Sequence, residues 1–329
     1  MTHAPLRSRG QAHAPLRSTG QAHAPLRSTG QAHAPLRSRG QAHAPLRSTG
    51  QAHAPLRSTG FYAFVAGFVA FCLAPFVWTF LTSLKGPTTI YEVPIRYLPT
   101  PPDLINYREI FGLDRFRWAL LNSTIVASSA TAISLVIGSL CAYAIARLNF
   151  PFKNLLLALV LAIAMFPGIA IIGPLFREFN AWGLTNNYLA LILPNVTFTL
   201  PICIWTLTAF FSELPSELEE SARVDGCTRM QAFYKITVPL SAPGVFTAAI
   251  LLFIQAWNEF LFARTFMSQP NRLTATVAIA QFEGADIAAQ YPWGQITAAS
   301  IVITLPLVIL VLLFQRRIIS GLTAGAVKG

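Results

Sequence analysis

Six stretches of this chain are too long and too apolar to belong to a water-soluble domain: residues 61–83, 119–146, 154–176, 188–211, 242–263 and 296–314. A helix rises 1.5 Å per residue, so about 20 apolar residues cross a hydrocarbon layer roughly 30 Å thick. Lipid offers no partner to a bare backbone amide, so a spanning segment must satisfy its own hydrogen bonds, which a helix does. The pattern predicts an all-α integral membrane fold of six transmembrane helices. Pro167-Gly168 interrupts the third stretch, and Pro194, Pro201 and Pro306 lie inside the fourth and sixth, so kinks are expected there.

Residues 1–60 are different in kind. They are six copies of a ten-residue unit close to Gln-Ala-His-Ala-Pro-Leu-Arg-Ser-Thr-Gly. One Leu per unit cannot offset the chain entropy of ordering it, so this domain reads as a disordered low-complexity tail beside a six-helix domain, 61–329. Three readings of it stay open: a flexible tail, a start codon that really lies near Phe61, or a segment that binds anionic lipid heads or nucleic acid. The tail holds eight Arg, no acidic residue and all six His. The remainder has 16 basic and 13 acidic residues, so no nucleic-acid partner is expected of it. With no His in the body, and with Cys72, Cys141, Cys203 and Cys227 scattered, neither a metal site nor a cofactor is expected.

An ATPase of the P-loop type needs Gly-Lys followed by Ser or Thr. The only lysines are Lys85, Lys153, Lys235 and Lys328, and none stands in that setting. The body also lacks a nucleophile–base set, so the chain is not expected to be an enzyme. Basic residues in short loops favour the cytoplasmic side. Arg147 and Lys153 bracket a short gap and Arg316-Arg317 follow the last span, which places both termini, and the loop 212–241, in the cytoplasm.

That loop carries most of the local signals. Ser216 with Glu219 reads as a capping box opening a helix that runs through Ala222 and Val224. Asp225-Gly226 stops it, because glycine takes the left-handed conformation readily. Thr228 with Gln231 reads as a second box, opening a helix that carries Phe233 and Ile236 and ends before Pro239.

The run Glu220-Ser221-Ala222-Arg223-Val224-Asp225-Gly226, then Phe233, Ile236 and Val238-Pro239-Leu240, resembles the EAA loop of binding-protein-dependent ABC importer permeases, with Ser221 and Val238 as mild departures. The resemblance extends over about 61–329. Trp257-Asn258-Glu259-Phe260 and the C-terminal residues 314–329 are similar to the maltose-type sugar permeases, trehalose permease subunits among them. It implies a second, related permease, two cytoplasmic ATPase subunits that each receive one such loop, and an extracytoplasmic sugar-binding protein. In that scheme Glu220 meets a basic residue of the ATPase, Gly226 supplies the bend, and Leu218, Phe233 and Ile236 are apolar anchors. Ala222, Asp225 and Pro239 complete the coupling set.

A sugar path wants neutral donors and acceptors beside aromatic faces. Candidates are Asn195 and Thr199 in the fourth span and Trp257, Asn258 and Glu259 in the fifth, with Asn122, Ser123 and Thr124 in the second. Glu259 is the only ionisable residue inside the six stretches, where a charge costs roughly 2.5–3.5 kcal/mol. It either faces the path or bonds a neighbouring helix, and helix packing is the alternative for the hydroxyl and amide groups. No Lys or Arg lies in any stretch, which favours an uncharged sugar. A secondary transporter or channel is the rival class. The lack of a proton or ion relay beyond the single Glu259 speaks against it.

Overall fold

The computed structural model describes residues 55–282 and 291–324. The expectations for the repeat region therefore lie outside the described residues, apart from 55–60, the first turns of a helix. There is no strand among the described residues. Four helices are long and apolar enough to cross a membrane: α1 (Pro55–Ser83), α3 (Asp114–Arg147), α6 (Leu189–Glu213) and α13 (Trp293–Ala324). α2 (Ile105–Gly112) precedes α3. Between α3 and α6 lie α4 (Lys153–Ala164) and α5 (Gly168–Ala181), bent by 82° across Pro167. After α6 come α7 (Glu217–Val224), α8 (Arg229–Ala232), a π-turn (Phe233–Thr237) and α9 (Val238–Leu240), then α10 (Ala242–Trp257), which departs at 79° from the segment before it. By length and composition there are up to six spans, of which α10 reaches the required length only when counted with the residues before it.

The prolines inside α1, α6 and α13, namely Pro75, Pro194, Pro201 and Pro306, do not end those helices. The sharp breaks fall at Pro167 and at Ser241. The fifth stretch is also shorter than its hydropathy suggests. α10 stops at Trp257, and α11 (Leu261–Phe266) starts separately, with α12 (Ala275–Ala280) beyond it.

The centre of the bundle is the seam between α3 and α6, with α10 laid on both. Between lipid-embedded helices there is little hydrophobic driving force, so close packing and hydrogen bonds must hold them. α3 presents Ser123, Ala127, Ala130, Ser134, Gly138 and Ala142, all buried, at spacings of three or four residues along one stripe. A Cβ placed on Gly138 would come 2.5 Å from Cys203 Sγ, so only glycine permits this approach. Ser134 Oγ lies 2.7 Å from Thr199 Oγ1, whose own proton goes to the Asn195 carbonyl at 2.8 Å.

At the N-terminal end of α3, Asn122 is fully buried and triply bonded. Its Nδ2 donates to the carbonyls of Asn271 (2.9 Å) and Leu273 (2.8 Å), and its Oδ1 accepts from Tyr188 Oη (2.7 Å). Ser123 Oγ accepts from the Ala275 amide at 2.8 Å. The segment 271–275 is thereby tied down onto α3. Thr124 returns its hydroxyl to the Leu120 carbonyl within its own helix. α1 contrasts with the rest: its apolar window is 0% buried within this chain.

Overpacking the seam should be felt and altering α1 should not. Gly138→Val is expected to lower the stability of the detergent-purified protein by about 1–3 kcal/mol, read as a fall in the thermal unfolding midpoint. Gly67→Val in α1, where nothing lies within 4 Å of a new Cβ, should leave that midpoint in place.

Candidate functional site

Two groups of sequence-predicted residues fall at separate places: the loop between α6 and α10, and a cavity beside the break at Pro167.

In the loop, α7 ends as the glycine signal requires. Gly226 has φ +89°, the Cys227 amide bonds the Ala222 carbonyl at 2.9 Å, and the Gly226 amide bonds the Arg223 carbonyl at 3.1 Å. These two bonds form a Schellman closure, which needs a left-handed residue at this position. A Cβ on Gly226 would meet nothing within 4 Å, so the demand for glycine comes from backbone conformation alone. The Thr228–Gln231 capping box forms as expected: Thr228 Oγ1 accepts from the Gln231 amide at 3.2 Å, and Gln231 Oε1 accepts from the Thr228 amide at 2.8 Å.

The Ser216–Glu219 box does not form. Ser216 has helical backbone angles and its own carbonyl takes the Glu219 amide at 3.0 Å, so its side chain makes no cap, and the Glu219 carboxylate that would complete the box is drawn elsewhere. It accepts from Thr237 Oγ1 at 2.8 Å and from Tyr143 Oη at 3.0 Å, and it sits 2.8 Å from Arg147 Nε. The Arg147 Nε–H is not aimed along that contact, so the arginine contributes charge while Tyr143 and Thr237 contribute the directional bonds. Arg147 Nη2 donates instead to the Leu214 carbonyl at 2.9 Å, where α6 ends. The Arg147 and Glu219 side chains are only 12% and 13% exposed, so water screens the pair little. One carboxylate on α7 thus joins the C-terminal end of α3 to the π-turn. Sequence reasoning passed over Glu219 as a functional residue. The one available signal was the Tyr143/Arg147 pair at i, i+4, and nothing local linked it to a residue more than 70 positions on.

The predicted coupling residues divide by exposure. Glu220, Asp225, Gly226 and Pro239 are exposed, Ile236 is half-buried, and Ala222 and Phe233 are buried. Phe233 packs inward, with its ring centroid 4.8 Å from Tyr143 and 6.1 Å from Phe211. The apolar groups turned outward are Val224 at 88% exposure and Met230 at 55%, on either side of Gly226, with Leu218 and Tyr234 nearby. Val224 and Met230 were not singled out from the sequence.

The second place is a cavity of about 200 Å³ lined by Phe166, Gly168, Asn195, Phe198, Gln255, Glu259 and Phe262. The break at Pro167 opens it, and the Phe198 and Phe262 rings stack across its wall at 5.8 Å. Glu259 holds the start of α11, its two oxygens accepting from the amides of Phe262 (2.7 Å) and Ala263 (3.0 Å). Asn195 donates to the Leu191 carbonyl at 2.9 Å. Asn195 and Glu259 therefore line the cavity. Thr199 is fully buried in the α3–α6 seam, Trp257 is buried against Phe253, and Asn258 is exposed with its amide on the Ile254 carbonyl. Gln255 lines the cavity and was missed, since a single amide in an apolar run carries no periodic signal.

Apolar helices long enough to span a membrane, a small cavity beside a broken helix pair and a capped, bent loop are the features to be set against known proteins. Residues 134–323 match the model of the binding-protein-dependent transport system inner membrane component family. The chain is 48% identical to the trehalose transport system permease protein SugB of Mycobacterium tuberculosis, over 79% of this chain and 94% of the relative. It is 44% identical to the sulfoquinovosyl glycerol transport system permease protein SmoH of Agrobacterium fabrum (78% and 89%) and 42% identical to the trehalose/maltose transport system permease protein MalG of Thermococcus litoralis (78% and 92%). A crystal structure of a bacterial ABC transporter for the polysaccharide alginate shares the fold, with TM-score 0.68 at 18% identity over 80% of this chain and 96% of that one. The chain belongs to the binding-protein-dependent transport system inner membrane component family, and it is a sugar ABC permease within it.

The Glu219 cluster should be measurable as stability. Arg147→Leu leaves a partly buried carboxylate without its counter-charge and is expected to cost about 3 kcal/mol in the thermal unfolding of the purified protein. Thr237→Val, which removes one neutral donor, should cost about 1 kcal/mol in the same assay.

Proposed function

We propose that this chain is the membrane-spanning subunit of an importer that moves a neutral disaccharide, such as trehalose or maltose, inward on ATP hydrolysed by separate subunits. Its partners in this reading are a second homologous permease, two cytoplasmic ATPase subunits and an extracytoplasmic sugar-binding protein. Both termini and the loop 212–241 face the cytoplasm. Arg147, Lys153 and the Arg316-Arg317 pair at the span ends support that orientation.

The observation that carries the proposal is the loop. Glu220 and Asp225 supply exposed charge, Val224 and Met230 supply exposed apolar surface, and Gly226 fixes the bend between them. Such an element offers a partner both an ionic contact and an apolar plug, on a backbone whose shape is set before docking. Leu218, Ile236 and Pro239 extend its outer surface. Ala222 and Phe233 hold it from inside.

The sugar passes the cavity of Asn195, Gln255 and Glu259, where amide and carboxylate oxygens serve hydroxyl groups and Phe166, Phe198 and Phe262 serve ring faces. Thr199, Trp257 and Asn258 do not line this cavity and drop out of the proposed path. No Lys or Arg lines it, which suits an uncharged sugar. The names of the relatives divide between trehalose or maltose and a sulfonated glycoside, and the absence of a lining cation is why the neutral sugars are preferred.

Two experiments test this. In proteoliposomes holding the assembled transporter, Gly226→Val is expected to lower both ATPase co-purification and uptake at least about tenfold, a coupling loss in the usual allosteric range. Wild-type levels of both would remove the docking role. In the same system Gln255→Leu should reduce labelled trehalose uptake while the ATPase subunits still co-purify. Uptake of labelled sulfoquinovosyl glycerol by the wild-type transporter, with no uptake of trehalose or maltose, would overturn the disaccharide assignment.

A further inference from the structure

The docking reading places the loop against a motor but leaves open how its displacement reaches the helices. Two sets of bonds at opposite ends of α3 address this. At its C-terminal end, Tyr143 and Arg147 hold the Glu219 carboxylate of α7, and Tyr143 Oη also lies 3.5 Å from the Arg229 carbonyl of α8, so both limbs of the loop bear on one residue of α3. At its other end, Asn122 and Ser123 hold the segment 271–275 by three hydrogen bonds. Asn122 and Tyr143 stand 21 positions apart in one unbroken helix, a distance of about 32 Å at 1.5 Å per residue. No proline interrupts α3, in contrast to α1, α6 and α13. A continuous helix resists compression along its axis, whereas a proline break offers a hinge. A cavity of about 130 Å³, bordered by Ser216, Arg223 and Arg229, adjoins the carboxylate and leaves room for α7 to shift while the bonds hold.

We infer that Glu219 is the positioning residue that fastens the coupling loop to α3, so that movement of the loop is delivered through α3 to the extracytoplasmic segment 271–275. The exposed Glu220 and the partly buried Glu219 are then neighbours with divided roles: Glu220 faces the ATPase, and Glu219 ties the loop to the bundle. This rests on the docking reading above.

The test uses the whole transporter in proteoliposomes, with Glu219→Gln and, as graded variants, Tyr143→Phe and Thr237→Val. The first readout is sugar moved per ATP hydrolysed. The second is the rate at which an impermeant maleimide labels Asn271→Cys with and without ATP and vanadate. Glu219→Gln is expected to retain the ATPase subunits on purification, to move roughly tenfold less sugar per ATP, and to lose the nucleotide dependence of labelling. Tyr143→Phe and Thr237→Val, each lacking one bond, should fall between it and wild type. A wild-type ratio with wild-type labelling in Glu219→Gln overturns the inference. So does loss of the ATPase from that variant, since Glu219 would then be a docking residue. If wild type itself captures no ATPase, the docking reading fails instead.

Discussion

The bundle depends on how closely α3 can lie against α6. Within lipid, two helices gain little by hiding apolar surface from each other, so their association rests on close contact and shared hydrogen bonds. The stripe of Ser123, Ala127, Ala130, Ser134, Gly138 and Ala142 gives α3 a flat side, and Gly138 lets the Cys203 thiol fill the space where a side chain would stand. The Ser134–Thr199 contact ties the seam at mid-height. α10 packs on the pair, α13 packs on α10, and the cavity of Asn195, Gln255 and Glu259 opens where the broken α4–α5 pair diverges from α6.

The same helix carries polar groups only where they can be matched. Asn122 and Ser123 bind the 271–275 backbone at one end, and Tyr143 and Arg147 bind Glu219 at the other. A buried ion pair is poor evidence for stability, because desolvation offsets much of the attraction. Here its value is geometric. Tyr143, Thr237 and Arg147 converge on one carboxylate, so the short helix α7, too short to be stable by itself, is held in one position beneath the bundle.

Much of this was legible in the sequence. Apolar run length identified the spans, Pro167-Gly168 the broken one, and Gly226 with the Thr228–Gln231 box the bend of the loop. These signals are local, and no distant residue competes for the groups involved. The Ser216–Glu219 box was misread because Ser216 has helical backbone angles and because Arg147, Tyr143 and Thr237 hold the Glu219 carboxylate, two of them from another helix. The family resemblance makes Phe233 an apolar anchor, and in the fold its ring lies inward between Tyr143 and Phe211. Val224 and Met230, the groups turned outward, look ordinary in a line of letters. Glu259 showed its chemistry in the sequence, while its structural role depends on the fold. It accepts from two amides at the start of α11, a helix separate from α10, which stops at Trp257 within the apolar run.

The central claim is that the bent loop is the surface on which a nucleotide motor acts. Val224→Cys places a thiol at its most exposed apolar point, two residues before Gly226. In inside-out vesicles containing the assembled transporter, a short bifunctional crosslinker is expected to join this cysteine to the ATPase subunit, with a yield that changes when ATP is bound. A cysteine that never captures that subunit, or that an impermeant reagent reaches from the extracytoplasmic side of sealed cells, would contradict the account.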